Sequence, residues 1–321
     1  MDFAARVRAE RATGTAAACS AADAVRAAMS YNAEISRANP AYFIILVDQS
    51  GSMGDRQAGS TSTKAQAVAD AVNSTLQTIV ERCSRRGKIE DYFAVSVVGY
   101  GATMGPAFGG HLANDYVAYV SQLEENPARM GAITEYVARE GGNALAVVTE
   151  APIWFEPVAN GATPMCAALN RAAEYADKFV NLRPRSFPPI VLNLTDGEST
   201  DGDPAAAAAR LTRIATSDGN VLLFNLHLSS NASRPTLFPA RGRDLYDEYA
   251  RSLFAMSSPL TPAMIEAAKR LGIDVETGSR GFAYNADVSS LVQFLNIGTQ
   301  PTPSQGFRAI VPGGSSGIER R

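Results

Sequence analysis

The chain has 321 residues, of which 46% are hydrophobic and 19% charged, and its formal net charge at pH 7 is −3. This is the composition of an ordinary globular protein, long enough for one large core or two smaller ones. It contains no basic stripe that would indicate nucleic-acid binding, no membrane-surface signal, and no run of about 18 apolar residues that would span a bilayer. Three widely spaced cysteines favour free thiols in a reducing compartment, namely Cys19, Cys83 and Cys166. The sequence therefore predicts a cytoplasmic protein that binds neither nucleic acid nor membranes.

Changes in composition divide the chain into three predicted parts. Residues 1–39 are rich in alanine and lack a continuous apolar segment, which predicts a helical or flexible arm rather than a secretory signal. Residues 40–298 are predicted to form the folded domain, with an insertion at about 101–160. Residues 299–321 are rich in Pro, Gly and Ser and have no periodicity, which predicts a disordered tail.

Within the domain, apolar runs that read as strands alternate with amphipathic segments that read as helices. The predicted strands are 42–47, 92–100, 190–195, 220–228 and 281–284. The predicted helices are 63–83, 164–181, 205–216, 244–255, 261–271 and 288–296. In the insertion, 104–110 is predicted as an edge strand, and 112–125 and 128–139 as partly helical. This alternation predicts an α/β domain with a doubly wound, mostly parallel sheet and helices on both faces.

The first strand ends in a group of oxygen-bearing side chains. Asp48, Ser50 and Ser52 follow the apolar run 42–47 at intervals of two residues. Alternate residues of an extended backbone point the same way, so these three side chains can converge on one point. One carboxylate and two hydroxyls form an all-oxygen set, which suits a hard cation such as Mg²⁺.

Two later turns carry further oxygen ligands. Thr163 lies in the segment Gly-Ala-Thr-Pro, and Asp196 follows the apolar strand 190–195 in the segment Leu-Thr-Asp-Gly. Taken singly, each has an ordinary interpretation: Thr163 as the N-cap of a helix, and Asp196 as a turn residue. Thr163 is predicted to cap the helix as well as to serve the metal site, because the two roles are compatible. Because ligands of open parallel sheets bind at the carboxyl ends of the strands, Asp48 and Asp196 are expected at the same edge.

In this order and context, the three segments resemble the metal-ion-dependent adhesion site of von Willebrand factor A (vWA) domains. The resemblance covers about residues 40–298. It implies that Ser50 and Ser52 bind the ion directly, that Thr163 binds it directly or through water, and that Asp48 and Asp196 hold coordinated waters and the serine hydroxyls. The implied ion is Mg²⁺, with Mn²⁺ or Ca²⁺ as alternatives. The resemblance further implies a partner protein that supplies a Glu or Asp side chain to the metal.

Among vWA proteins, the chain looks most similar to bacterial cytoplasmic members associated with tellurite resistance. That similarity implies a metal-dependent interaction module in stress response or signalling, with a phosphatase or kinase as partner. The alternative is a subunit that acts with a separate ATPase, as in chelatase-like or chaperone-like complexes.

The sequence offers little catalytic machinery, and we expect the protein not to be an enzyme. His111 and His227 belong to no metal-binding or triad pattern, and no phosphate-binding or dinucleotide-binding glycine motif is present. The match to Gly-x-Ser-x-Gly at 313–317 lies in the predicted tail, without a strand-to-helix turn around it. A hydrolase role for Asp196 would require a general base and usually a second ion.

Two further features near these turns have more than one interpretation. Trp154 is predicted to pack in the core, with a contact at the rim of a partner site as the alternative. The acidic segment 198–203 is predicted to be a solvated loop and helix cap. The alternatives are support for a second cation and repulsion of wrong partners.

Overall fold

The computed structural model describes residues 31–56, 61–85, 87–138, 144–228, 235–242, 245, 248–286 and 288–299. Most of the predicted arm and nearly all of the predicted tail lie outside these residues. Residues 31–40, which are described, form no helix. None of the described helices has both the length and the apolarity needed to cross a bilayer.

The described residues form twelve strands and seven α-helices. The strands are β1 (Ala41–Asp48), β2 (Ser84–Arg85), β3 (Lys88–Ile89), β4 (Phe93–Tyr100), β5 (Met104–Pro106), β6 (Ala118–Tyr119), β7 (Arg129–Ala138), β8 (Ala144–Ile153), β9 (Ile190–Thr195), β10 (Leu222–Leu228), β11 (Thr236–Leu237) and β12 (Phe282–Ala286). The helices are α1 (Lys64–Cys83), α2 (Val120–Glu125), α3 (Met165–Leu182), α4 (Ala205–Leu211), α5 (Glu248–Met256), α6 (Pro262–Arg270) and α7 (Val288–Gly298).

The main sheet is mostly parallel, as the alternation of strands and helices predicts. Its order is β11-β12-β10-β9-β1-β4-β5, and β6 also pairs with β4. The five strands from β12 to β4 run parallel, whereas β5, β6 and β11 pair antiparallel at the edges. Strand β4, the next strand of the parallel core along the chain, pairs with one side of β1. The later strands β9, β10 and β12 lie in that order on the other side of β1. The strand order therefore reverses between β1 and β9, which is where open α/β sheets form ligand crevices.

Strand β1 lies at the centre of this sheet and is buried on both faces. Because side chains alternate along a strand, Phe43 and Ile45 enter the core that also contains residues of α1, α6 and α7. Ile44 and Leu46 enter the opposite core, with residues of α3, α4 and α5. Every residue of β1 is buried, so the uncharged run at 42–47 has its expected role.

The insertion departs from its predicted structure. The segment 128–139 is predicted as partly helical, but Arg129–Ala138 form strand β7, and residue 139 lies outside the described residues. Strand β7 pairs antiparallel with β8 as a long hairpin separate from the main sheet. The predicted edge strand at 104–110 is confirmed as the shorter β5. Helix α4 ends at Leu211 rather than 216, because the chain turns there and Ala215 forms a bridge with Asn220.

The insertion rejoins the core through a buried side-chain clamp. On α1, Asn73 Nδ2 donates to Phe155 O at 2.8 Å, and Asn73 Oδ1 accepts from Trp154 N at 2.9 Å and Phe155 N at 3.0 Å. Trp154 is 2% exposed, and its Nε1 donates to Leu123 O at 2.7 Å. Its predicted packing in the core is confirmed, and a rim contact is excluded by its burial.

Candidate metal site

Asp48 is the last residue of β1 and lies at the point where the strand order reverses. It is 1% exposed. Its Oδ1 accepts a hydrogen bond from Ser50 N at 2.9 Å, and its Oδ2 accepts one from Thr195 Oγ1 at 2.7 Å. Burial raises the pKa of Asp48, the donors from Ser50 and Thr195 oppose that shift, and the nearby Asp196 adds to it. Among the described residues, the hydrogen-bond donors to this carboxylate are therefore neutral groups.

The hydroxyls of Ser50 and Ser52 converge with the carboxylate of Asp196. Ser50 Oγ lies 3.1 Å from Ser52 Oγ, and Ser52 Oγ donates to Asp196 Oδ1 at 2.8 Å. The turn after β1 thus contacts the turn after β9 through side chains 144 residues apart in sequence. The pairing of these strands brings the two turns to the same edge, as their motifs predict.

Backbone hydrogen bonds fix the loop that carries Thr163 against the first turn. Gly51 N donates to Gly161 O at 3.0 Å, and Asn160 N donates to Gln49 O at 2.6 Å. Gly161 has a φ of +94°, and a Cβ there would lie 2.2 Å from Ala102 N, so this close approach requires glycine.

Thr163 lies beside the serine hydroxyls. A Cβ placed on Gly197 would lie 3.8 Å from Thr163 Oγ1 and 4.0 Å from Ser52 Oγ. Both hydroxyls therefore lie next to Gly197, in the turn after β9. The structure brings all five predicted residues, Asp48, Ser50, Ser52, Thr163 and Asp196, to the place where the turns after β1 and β9 meet the loop of Thr163, called the crevice below.

The predicted role of Thr163 as the cap of α3 is wrong. Helix α3 begins at Met165. The backbone amides of Cys166 and Ala167, in its first turn, each donate to an Asp201 carboxylate oxygen at 2.9 Å. Thr163 instead forms backbone contacts with Thr200: its N–H donates to Thr200 Oγ1 at 3.0 Å, and its carbonyl accepts from Thr200 N at 2.9 Å. Since a carboxylate is the stronger partner for a helix N-terminus, it takes over the capping role.

The acidic segment 198–203 is engaged with helix starts. Asp201 caps α3, and Asp203 Oδ1 accepts from Ala205 N at 2.9 Å at the start of α4. Ser199 Oγ also donates to Asp201 at 2.8 Å. These contacts account for both aspartates as helix-end partners, which matches the capping interpretation of the segment.

Sequence reasoning missed Lys64. It is the first residue of α1, it is 4% exposed, and its Nζ lies 2.7 Å from Asp196 Oδ2. The same Nζ lies 3.5 Å from Ser52 O and 3.9 Å from Asp55 Oδ2. The only available signal was a lysine immediately after the Ser-Thr capping segment, and a lysine at a helix start is usually solvent-exposed.

The two histidines lie outside this group of residues. His111 lies in a 3₁₀ turn at Gly110–Leu112. His227 is half-buried on β10 and stacks on Tyr284, with ring centroids 4.9 Å apart. Neither joins a metal cluster. Within the part of the chain that the structure describes, no group of three or more His, Cys, Asp and Glu side chains is placed to hold a metal ion.

The donor set at the crevice therefore differs from a Zn²⁺ or copper site. It offers three hydroxyl oxygens and two carboxylates, and it includes neither imidazole nor thiolate. Hydroxyls and carboxylates, with water, are ligands of hard divalent cations, so the residues present fit Mg²⁺ or Mn²⁺.

No protein-family model matches the chain, and no curated protein matches it. Among solved structures, the chain is similar to the manganese-loaded TRAP protein of Plasmodium vivax, with 17% sequence identity, 60% of this chain and 59% of that chain covered, and a TM-score of 0.31. It is also similar to proximal thread matrix protein 1 from the mussel byssus (14% identity, 70% and 41% covered, TM-score 0.35). A third is the PilB minor pilin from Streptococcus sanguinis (10% identity, 82% and 61% covered, TM-score 0.38). The chain spans less than two thirds of the length of each of these proteins.

Proposed function

We propose that this chain is a vWA-type, metal-dependent protein-interaction module that binds an acidic side chain of a partner through a Mg²⁺-type site. The observation that supports this most directly is the convergence of Ser50, Ser52 and Asp196, with Thr163 beside them, at the reversal point of the sheet. Three separate turns supply these residues, and backbone hydrogen bonds connect the first two.

Each residue has a distinct part in the proposed site. Ser50, Ser52 and Thr163 would present hydroxyl oxygens to the cation. Asp48 and Asp196 would orient those hydroxyls and the bound waters, as their present hydrogen bonds to Ser50 N and Ser52 Oγ suggest. When bound, the cation supplies a Lewis-acidic position that an anionic ligand can occupy. Neutral hydroxyls leave much of its charge uncompensated, which favours a carboxylate as that ligand.

The setting that we propose is a bacterial cytoplasmic stress-response or signalling system of the tellurite-resistance type, with a phosphatase or kinase as partner. In this proposal the protein binds and does not catalyse. The proposed setting and partner rest on the general resemblance of the sequence, and the proposed binding role rests on the sequence motifs and on the position of the five residues.

Metal binding tests the site. We expect isothermal titration of the full chain with Mg²⁺ and with Mn²⁺ to detect one bound ion per chain. Thr163→Val keeps the shape of the side chain and removes one oxygen ligand, so it should weaken binding by about tenfold or more. Thr78→Val is the matched control, because the Thr78 hydroxyl bonds to Ser74 O within α1, away from the crevice. A wild-type chain that takes up neither ion would refute the site.

Partner binding tests the function. Wild type and Thr163→Val, immobilised in Mg²⁺ or in EDTA, would be exposed to lysate of the source cells, and bound proteins identified by mass spectrometry. We expect a phosphatase or kinase that is retained only by wild type in Mg²⁺ and released by EDTA. Retention of an ATPase in the same pattern would favour the chelatase-like or chaperone-like alternative. A set of partners that is unchanged by EDTA would contradict metal-dependent docking.

A further inference from the structure

Lys64 introduces a fixed positive charge into the candidate metal site. Thr63 caps α1 by accepting a hydrogen bond from Gln66 N at 3.1 Å, which holds the first residue of the helix at the crevice. Lys64 N donates to Asp55 O at 2.9 Å and anchors the same residue from the other side. Lysines are almost never fully buried unless they are paired, and here the pair is Asp196.

The carboxylate of Asp196 is fully engaged. Its Oδ1 accepts from Ser52 Oγ at 2.8 Å, and its Oδ2 accepts from Lys64 Nζ at 2.7 Å. Its side chain is completely buried. The Lys64 ammonium therefore neutralises one of the two carboxylates on which a divalent cation would depend.

Lys64 changes the net formal charge of the candidate metal site. Asp48, Asp196 and Lys64 together carry one net negative charge, since Asp55 is mostly exposed and screened by solvent. A bound divalent cation would change that total to one net positive charge. If Lys64 were neutral, the same cation would leave the site with no net charge.

We propose that Lys64 opposes metal binding and keeps the metal-loaded site positive, so that the cation and an acidic ligand bind cooperatively. This inference rests on the proposed function. A positive charge near a divalent cation in a partly dehydrated crevice weakens cation binding. The same charge strengthens the attraction of the loaded site for a carboxylate. The bound cation and the carboxylate attract each other, so by linkage each raises the affinity for the other. Lys64 makes this effect larger at a given ligand concentration, because the loaded site then binds the carboxylate more tightly.

A purely structural role predicts the opposite behaviour. If Lys64 only held Asp196 in position, its removal would disorder Asp196 and weaken metal binding, or leave it unchanged. In our proposal its removal strengthens metal binding, because the cation meets two uncompensated carboxylates. The sign of the change in affinity separates the two roles.

The experiment is a titration of the full chain with Mn²⁺ alone, followed by the electron paramagnetic resonance signal of free Mn²⁺. We expect Lys64→Met to bind Mn²⁺ about tenfold more tightly than wild type, and Lys64→Arg, which keeps the charge, to stay within about threefold. Lys269→Met is the matched control, because Lys269 pairs with Glu266 at 3.6 Å on the exposed surface of α6, and it should not change the affinity. If Lys64→Met does not fold, Lys64→Gln has the same expected result, since it can still donate to Asp196 without a charge.

A second set of titrations tests cooperativity by replacing chloride with acetate at equal ionic strength and correcting for Mn²⁺–acetate binding in solution. Acetate should tighten Mn²⁺ binding to wild type more than to Lys64→Met. Equal or weaker Mn²⁺ binding by the folded charge-removed variant, or an equal effect of acetate on both proteins, would overturn the role of Lys64 while leaving the metal site intact. A wild-type chain that binds no Mn²⁺ and no Mg²⁺ would refute the proposed function and this inference together.

Discussion

Two short ion pairs lie in different regions of this protein and have nearly the same shortest N–O distance. In the crevice between β1 and β9, Lys64 Nζ lies 2.7 Å from Asp196 Oδ2. At the base of the β7–β8 hairpin, Arg129 Nε lies 2.6 Å from Glu156 Oε1, and Arg129 Nη2 donates to Glu156 Oε2 at 3.0 Å. The side chains of the first pair are 5% and 0% exposed, and those of the second are 53% and 45% exposed.

The two pairs differ in burial rather than in distance, and burial decides how strongly the charges of each pair interact. In water the attraction between Arg129 and Glu156 is screened, although their mutual hydrogen bonds raise the pKa of Arg129. In the crevice, removing either partner leaves a charge that water does not fully solvate. The hairpin pair is therefore a solvent-screened surface pair that adds little to stability, whereas the crevice pair contributes to the charge of the candidate metal site.

The largest expected effect is on the crevice pair itself. In EDTA, Lys64→Met should lower the free energy of unfolding by about 3–5 kcal/mol, because it leaves Asp196 buried without its cation. Urea denaturation followed by circular dichroism measures this. Lys269→Met, on the exposed face of α6, should change stability by less than about 0.5 kcal/mol. A loss below about 1 kcal/mol for Lys64→Met would place the crevice pair in the same class as a surface pair.

A smaller loss is expected where a neutral donor holds a buried carboxylate. Thr195→Val removes the hydroxyl that donates to Asp48 Oδ2 at 2.7 Å and keeps the shape of the side chain. The free energy of unfolding should fall by about 1–3 kcal/mol, because the buried carboxylate loses one hydrogen bond. Thr78→Val, measured by the same denaturation, is the control. A loss as large as that of Lys64→Met would show that charge adds nothing to the hold on a carboxylate in this crevice.

Asp201 is a third case, a charged group that neutral backbone amides hold at the surface. Burial acts to raise the pKa of Asp201, but hydrogen bonds from the amides of Ala167 and Cys166 outweigh it, and the pKa is lowered. A lowered carboxyl pKa contributes stability that is fully present above the unfolded value of about 3.9 and is lost as the pH falls through the folded value.

Asp201→Asn should therefore cost about 1 kcal/mol at pH 7, and the difference from wild type should shrink as the pH falls below about 4. Denaturation at a series of pH values measures it. Asp177→Asn, an exposed change on the same helix α3, is the control and should show no such dependence. A loss that stays constant down to the acid limb would mean that the charge of Asp201 does not contribute.

The smallest effect is expected at the hairpin. Arg129→Gln should change the free energy of unfolding by less than about 1 kcal/mol, and added salt should reduce that difference further. The measurement is urea denaturation at low and high salt. A salt-independent loss above about 2 kcal/mol would show that exposure does not weaken this pair, and would remove the basis of the comparison.

The central fold and the predicted metal residues were accessible from sequence because both depend on local patterns. An uncharged run such as 42–47 has to be buried, and the order of strands and helices leaves few ways to assemble a parallel sheet. Asp48 and Asp196 each follow a buried strand directly, so their meeting at one edge follows from topology. Their ability to bind a metal stays a prediction that the titrations test.

The failures have a different origin, because they depend on contacts distant in sequence. Arg129–Ala138 form β7 in a pairing with β8 that covers ten residues of each strand, and such cross-strand pairing overrides local helix propensity. Lys64 has no local signal for burial, since its partner lies 132 residues away. The interpretation of Thr163 as a cap was locally sound, but a carboxylate from another loop takes that place.

At the start of α3, the residue that caps the helix is Asp201, and the residue that offers a hydroxyl to the candidate metal site is Thr163. Since Asp201 caps α3, the helix does not need the Thr163 hydroxyl as a cap. Exchanging Thr163 for valine leaves the contacts of Asp201 with the helix in place and removes the hydroxyl that an ion could bind. The molecule thus provides one position at which ligand chemistry can be dissected without disturbing the frame around it.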